Sequence, residues 1–466
     1  MKERQHFLDL FFNPKSIAVV GASTNPFKMN YNLFANLVKL DFPGRIYPIN
    51  PHAEEILGRK AYPDLKSIED EVELVVSAVP ARATLNVIKD CVAKRVKGIV
   101  IVTGGFSEIG EEGRKIQAEV AQLLRESGIR AVGPNALSPI NTSNNLVIGF
   151  SLRERLKRGG LSLIFQSGLY EAVVNDLCLS KVIDLGNKMN INEVDVLEYF
   201  AEDPDTKVIA IHLESIAGDG RKFLQLLKET SRKKPIVVIK SGRTPAGARA
   251  ASSHTGAIAK GRDVVLDVGL RQAGVIRAHS VEEFFDFAKA FDFLLPLKLD
   301  GNRVAVASFS GGEGTIVVDL CQEKGLSLAE VNPETSQKLQ KVSPPWGISA
   351  NPFDLGVCMQ FHPMGEVYKV FLDSMINDEN VDCIAFPIGG IPMPEEILEL
   401  MLMARERKKP VVLWLMEEMR LMTRVQEDGA TIQRLESNHI PVYPSSERAI
   451  KALSAWHRYN LSQKVL

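Results

Sequence analysis

"PKSIAVVGASTNP" (residues 14–26) is a short apolar run that stops at a glycine and gives way to small and polar residues. A run that is apolar on both faces fits a strand buried inside a parallel sheet, and Gly21 directly after it marks a tight turn into a helix. The same phrase recurs downstream. "RIYPIN" (45–50), "VELVVSAVP" (72–80), "GIVIVTGG" (98–105) and "IRAVGPN" (129–135) are β-branched runs ending in Gly, Pro, Ser or Asn. Helical patterns lie between them. One is expected over Glu111–Ser127, with Ile116, Val120, Leu123 and Leu124 on one face and Gly128 as its stop. Alternating strand and helix predicts an α/β fold whose ligands sit at the carboxyl ends of the strands, where these turns gather.

Two further units follow. After the basic stretch "SLRERLKRGG" (151–160) come "LSLIFQSG", "KVIDLGNK", "VIAIHLESI", "PIVVIKSG" and "GVIRAHS". After "LPLKLDGNR" (295–303) come "VAVASFSGGEG", "VDCIAFPIGG", "PVVLWLMEE" and "IPVYPS". Each unit opens with a strand running into a Ser-Gly turn, Ser167-Gly168 and Ser310-Gly311. Each later has Lys-Lys-Pro entering an apolar strand, at 233–235 and 408–410. The shared order reads as an internal duplication. The expected domains are 1–145, 146–298 and 299–466.

At 466 residues the chain is too long for one core. A hydrophobic fraction of 45% and a charged fraction of 24% fit a soluble enzyme, and the longest apolar runs are strand-sized, so no membrane association is expected. Asp9 and Pro14 interrupt any signal-peptide core, which makes the expected location cytoplasmic. A net charge of −1 argues against nucleic acid as a partner. Five cysteines without a CxxC pair indicate neither a disulfide framework nor a zinc site, and no metal ligands are expected.

The turns carry the chemistry. Gly21 would let a phosphate approach the next helix, but Ser23 and Pro26 stand where a dinucleotide fingerprint needs glycines. Asn50 ends the second strand where a nicotinamide site wants a carboxylate for the ribose hydroxyls, so an NAD(P) oxidoreductase is disfavoured. Coenzyme A, with a 3′-phosphorylated ribose, suits that position better, and Lys28 is a candidate phosphate partner. "FQSG" and "FSGGEG" are strand ends followed by small residues and an expected helix start, whose N–H groups could cradle an anion. In "RAASSHTGAIAKG" (249–261) one imidazole, His254, stands among residues of little bulk, as a mobile reactive loop would require. Glu214, just past a strand end, is a carboxylate that could orient and stabilise such an imidazole.

"IYPINPHAEEILGRKAYPDL", "IVTGGFSEIGEEG", "GPN", "LGNKMNINEVDVLEYF", "ASSHTGAIA", "RQAGVI" and "SANPFDL", in this order along the chain, resemble the α subunit of nucleoside-diphosphate-forming acyl-CoA synthetases, relatives of succinyl-CoA synthetase. The resemblance implies a CoA-binding Rossmann-like domain followed by two flavodoxin-like ligase domains. It implies a separate ATP-grasp β subunit that holds ATP or ADP with Mg2+, hence a hetero-oligomer. The implied reaction passes from acyl-CoA and phosphate through an acyl phosphate to a phosphohistidine and on to the nucleotide. His254 is then the phosphorylated residue and Glu214 its stabilising carboxylate. Ser167, Gly168, Ser310, Gly311 and Gly312 match the phosphate-binding turns. Gly21, Ser23, Lys28, Val79, Pro80, Gly104 and Gly105 match the CoA loops, and Asn135 lies by the acyl end.

Departures from the family pattern cluster near the acyl end. Ala136, Leu137 and Ser138 follow "GPN", and Leu169, Tyr170 and Glu171 follow "QSG", where a carboxylate pointing inward would compete with an anion. They motivate an alternative, a non-catalytic CoA or acyl-CoA-binding sensor or scaffold on the same fold.

Overall fold

The computed structural model describes residues 6–255, 263–389, 394–416 and 426–465. The repeated strand–turn–helix phrase folds into three mainly parallel sheets. In the first, Arg45–Ile49, Ser16–Val20, Leu74–Ser77, Gly98–Ile101 and Arg130–Val132 lie side by side, all pairs parallel. In the second the order is Ile276–Ala278, Ile236–Lys240, Val208–Leu213, Arg158–Phe165 and Leu179–Asp184, extended by the antiparallel hairpin Ile140–Asn141 and Leu146–Val147. In the third, Ser327–Leu328, Arg303–Ser308, Cys383–Ile388, Val411–Leu415 and Val442–Tyr443 run parallel, with Phe353–Asp354 beside Arg303–Ser308.

Numbering the strands along the chain, with the antiparallel hairpin of the second sheet and the short Phe353–Asp354 of the third set aside, gives the order 2-1-3-4-5 in all three. This is the doubly wound, flavodoxin-like arrangement, and it fixes where ligands can bind. The chain reverses its direction of travel between strands 1 and 3, which opens a crevice above their carboxyl ends. In the first sheet those ends lead into Gly21 and Val79; in the second, into Gln166 and Glu214.

The chain divides into two compact units, Met1–Arg277 and Ala278–Leu466. Within the first, both sheets share one apolar cluster that runs from Phe11, Val19 and Phe34 to Ile164, Leu197 and Phe223. The hairpin Ile140–Asn141 and Leu146–Val147 belongs to the second sheet although much of it precedes residue 146. In the second unit the helix Val281–Leu294, which precedes residue 299, packs along Ser446–Val465.

The duplication read from the Lys-Lys-Pro pairs has an atomic counterpart. Lys234 donates from Nζ to the carbonyls of Phe200 and Asp203, both at 2.7 Å, closing the end of the helix Glu193–Glu202. Lys409 donates in the same way to Met375 at 3.1 Å and Asp378 at 2.5 Å, closing Met364–Asn377. A half-buried ammonium on the last carbonyls of a helix satisfies orphan acceptors and complements the helix dipole. The helix Glu111–Ser127 ends as expected, with Gly128 at φ +72° donating its N–H to Leu124.

Candidate functional site

A cleft of about 470 Å3 opens above the second sheet, and its wall includes Asn135, Ser167, Gly168 and Glu214. Gln166 builds its centre. It follows strand 1 of this sheet, and its Oε1 accepts the N–H groups of Glu214 at 2.7 Å and Ser215 at 3.0 Å, just past strand 3. One amide thereby locks together the two strand ends that flank the crevice. Two lysines fix the far side of the 214–218 loop. Lys240 donates to the Glu214 carbonyl at 2.8 Å, and Lys188 to the Ser215 carbonyl at 2.5 Å. Lys188 also pairs at 2.9 Å with Glu193, whose other oxygen accepts from the N–H groups of Ala217 and Gly218. Glu214 therefore projects from a backbone held at four points, with two ammonium groups nearby. His212, two residues earlier, contacts the Ser241 hydroxyl at 2.8 Å, and burial pushes it down to about 4. It is a neutral packing residue.

The helix Pro245–Thr255 contributes Gly247 and Ala250 to the same cleft wall. His254 stands one turn beyond Ala250 on this helix; its side chain lies outside the described residues, as do residues 256–262. The expectation of a loop around His254 needs correction, because residues up to Thr255 are helical. The alanines chosen for low bulk are also strong helix formers, and Pro245 occupies the first helical position.

The Ser-Gly turns differ from each other. Ser310 caps the thirteen-residue helix Gly311–Glu323 and accepts the Glu313 N–H at 3.2 Å, with Gly311 and Gly312 exposed in its first turn. After Ser167 the expected helix does not form. Gly168–Ala172 is a five-residue 3-10 turn, which lacks the aligned dipole that a longer helix offers an anion. The reason lies in the residues that depart from the family pattern. Tyr170 is buried against Phe165 and donates its hydroxyl to the Leu137 carbonyl, and Glu171 pairs with Arg153 in a nearly buried contact. The charge on Glu171 is thus met by Arg153.

At the first sheet, Gly21 holds φ +87°, and a Cβ there would stand 3.1 Å from the Ala78 carbonyl and 3.2 Å from Val79. The two turns flanking that crevice touch, with Pro80 opening the helix Ala81–Ala93. Ser23 is buried and accepts the Asn25 N–H, while Lys28 is exposed at the start of Met29–Lys39. Asn50, whose type disfavoured NAD, donates to the Ala22 carbonyl at 2.9 Å and so supports the same turn. Gly104 and Gly105 stand beside Glu108. Its Oε1 accepts the Gly105 N–H at 2.6 Å and its Oε2 accepts from Asn187 at 2.9 Å, tying the first sheet's turns to the second sheet. These residues lie outside the wall of the 470 Å3 cleft, apart from Asn135.

The sequence singled out neither the supports Gln166, Lys188, Glu193 and Lys240 nor the carboxylates of Glu108 and Asp184. Asp184 ends strand 2 of the second sheet and lines the cleft. Its Oδ2 accepts the Leu137 N–H and its Oδ1 the Gly186 N–H, both at 3.0 Å, while its carbonyl accepts the Ser138 hydroxyl. Burial pushes its carboxyl up to about 7, Glu214 and Glu171 add to that, and the two N–H groups oppose it. The available signal was its place at a strand end two residues before Gly186.

Residues 15–141 match the model of a CoA binding domain, and residues 158–291 that of a succinyl-CoA ligase-like flavodoxin domain. The α subunit of acetate–CoA ligase (ADP-forming) I from Pyrococcus furiosus is 36% identical over 97% of this chain and 98% of its own length. Acetate–CoA ligase (ADP-forming) II from Archaeoglobus fulgidus is 35% identical over 97% of this chain, which spans 66% of that longer protein. The solved structure of dinucleotide-forming acetyl-coenzyme A synthetase 1 from Ca. Korarchaeum cryptofilum, in complex with phosphate and ADP, superimposes with a TM-score of 0.84. It is 33% identical, and the match covers 98% of this chain and 97% of that one. Among the described residues, no helix is long and apolar enough to cross a membrane.

Proposed function

Since the chain belongs to the family of ADP-forming acetate–CoA ligase α subunits, we propose that it is the acyl-transferring half of an acid–thiol ligase that interconverts acyl-CoA, phosphate and ADP with a carboxylic acid, CoA and ATP. The observation that carries this reading is the single cleft that unites Glu214, Ser167, Gly168 and Asn135 with Gly247 and Ala250 of the helix bearing His254. In the first step a phosphate oxygen attacks the thioester carbonyl, the C–S bond breaks, and CoA leaves as the thiolate. In the second the His254 imidazole attacks the phosphorus of the acyl phosphate, the P–O bond breaks, and the carboxylate departs with the bonding electrons. Glu214, anchored by Gln166, Lys188 and Lys240, would hold the imidazole and offset the positive charge of its phosphorylated form.

Gly21, Ser23, Lys28, Val79, Pro80, Gly104 and Gly105 would receive CoA at the first sheet's crevice, and Ser310, Gly311 and Gly312 would present helix N–H groups to an anion. The nucleotide, with its Mg2+, would be held by a separate ATP-grasp β subunit. Relatives named as α subunits support that assignment, as does the third of the Archaeoglobus protein that this chain does not span. The domains would be a CoA-binding domain over about 1–145 and ligase domains over about 146–298 and 299–466.

The test is to incubate the purified chain with inorganic phosphate and a panel of acyl-CoAs, reading intact mass for one added phosphoryl group, with His254→Ala in parallel. An acid-labile adduct on the wild type alone is expected. The short turn after Ser167 favours one competing reading, a CoA-ester sensor without catalysis. Binding of CoA esters with no adduct, even after a nucleotide-binding partner and ATP are added, would establish that reading and overturn the first.

A further inference from the structure

Asp184 is a charged residue that the reaction as written does not use, yet its carboxyl is buried and lines the cleft together with Leu137 and Phe150. We propose that Asp184 sets the charge class of the acid handled here: ionised, it rejects acyl chains that end in a second carboxylate, and protonated, it tolerates them. The proposal rests on the acyl-CoA reading above.

Among the described residues, Asp184 has no cationic partner. Glu214 and Glu171 lie close enough to raise it, and the Arg153 guanidinium is engaged by Glu171. Tyr170, buried beside it, is held well above its ordinary pKa and stays a neutral phenol. The ammonium groups of Lys188 and Lys240 are occupied by the carbonyls of Ser215, Glu214 and Ser241 and by Glu193. His212 is neutral across the range concerned, since burial lowers it to about 4. The carboxyl itself is anchored by the N–H groups of Leu137 and Gly186, so it cannot swing away from an incoming chain. With its ionisation pushed up to about 7, the wall of the cleft gains a negative charge between mildly acidic and mildly basic solution. Like charges roughly 5–7 Å apart in a partly buried site cost on the order of a hundredfold in affinity.

Butyryl-CoA and succinyl-CoA provide the test, because they differ only in a terminal methyl against a carboxylate that stays ionised throughout. Calorimetric titration of each into the wild type and into Asp184→Asn and Asp184→Ser, at pH 6 and pH 8, reads binding without requiring turnover. With ionisation at about 7 and a hundredfold penalty, the wild-type preference for butyryl-CoA should grow by about ninefold from pH 6 to pH 8. In both substituted proteins it should be smaller and flat with pH. A wild-type ratio that does not move while both esters bind would overturn the proposal, as would a pH dependence that survives in Asp184→Ser. Should Asp184→Asn fail to fold, the wild-type profile and Asp184→Ser still decide. If neither ester binds the wild type at any pH, the acyl-CoA reading itself fails, an outcome distinct from a flat ratio.

Discussion

Replacing Glu193 with Gln should be among the most damaging single changes that leave the cleft lining untouched. Glu193 and Lys188 form an ion pair at 2.9 Å with side chains 0% and 2% exposed. Gln keeps the volume, and one oxygen can still accept from Ala217 and Gly218. Its amide, however, would set a donor against the Lys188 ammonium and leave a buried charge unmet. Breaking a buried pair from one side costs about 3–5 kcal/mol, because the remaining charge keeps its desolvation penalty. Lys188 is already lowered by burial despite its partner, so without Glu193 it falls further. Urea unfolding checks this. With a slope of about 2–3 kcal/mol/M, the midpoint should drop by about 1–2 M. The double change Lys188→Met with Glu193→Leu should recover part of the loss: it leaves no stranded charge, though the Ala217 and Gly218 N–H groups and the Ser215 carbonyl lose their side-chain partners. A midpoint for Glu193→Gln within about 0.3 M of wild type, or a double mutant worse than either single, would refute this account of how the Glu214 loop is held.

Asp184→Asn should change stability in a pH-dependent way. The folded carboxyl titrates at about 7 against an ordinary 3.8, so between those values the unfolded chain releases a proton that the folded chain retains. The wild type therefore loses stability as pH rises from about 4 to 7 and is flat above, and relative to it the Asn protein should gain up to about 4 kcal/mol across that window in thermal or urea unfolding. Gly186→Ala should cost more than about 2 kcal/mol and weaken acyl-CoA binding. Its φ is +51°, and the added Cβ would lie 2.2 Å from the Pro134 carbonyl and 2.4 Å from that of Asn135. Lys234→Met and Lys409→Met should destabilise by similar amounts, about 1–3 kcal/mol each, because each strips two carbonyls of a donor. A large effect at one and none at the other would contradict the duplication.

The sheets were legible because their signal is local. A strand buried on both faces must be apolar throughout, and the crossover helix must stop, so Val19, Val76 and Val100 and the cap at Gly128 announce themselves without knowledge of their neighbours. The switch-point turns were legible for the same reason, and Ser167, Gly168, Glu214 and Asn135 do meet in one cleft. The supports were not. Gln166 reaches the N–H groups of Glu214 and Ser215 across 48 and 49 residues, and Asp184 reaches that of Leu137 across 47. No periodicity encodes such pairings.

Glu171 shows how far a correct local inference can run before tertiary context decides it. Taken as the first turn of an anion-binding helix, its carboxylate opposes the ligand. Yet the side chain is spent on Arg153, in the basic stretch that precedes the second unit, and the backbone there tightens into five residues of 3-10 turn. The same ion pair that removes the electrostatic conflict thus accompanies the loss of the helix that would have bound the anion. If the proposed function holds, a phosphate at this turn would rely on the Ser167 hydroxyl and the Gly168 N–H more than on a dipole. That places the greater electrostatic burden on whatever lies opposite Glu214, and it makes the net charge of the cleft, set by Glu214 and Asp184, the quantity that governs which acids enter.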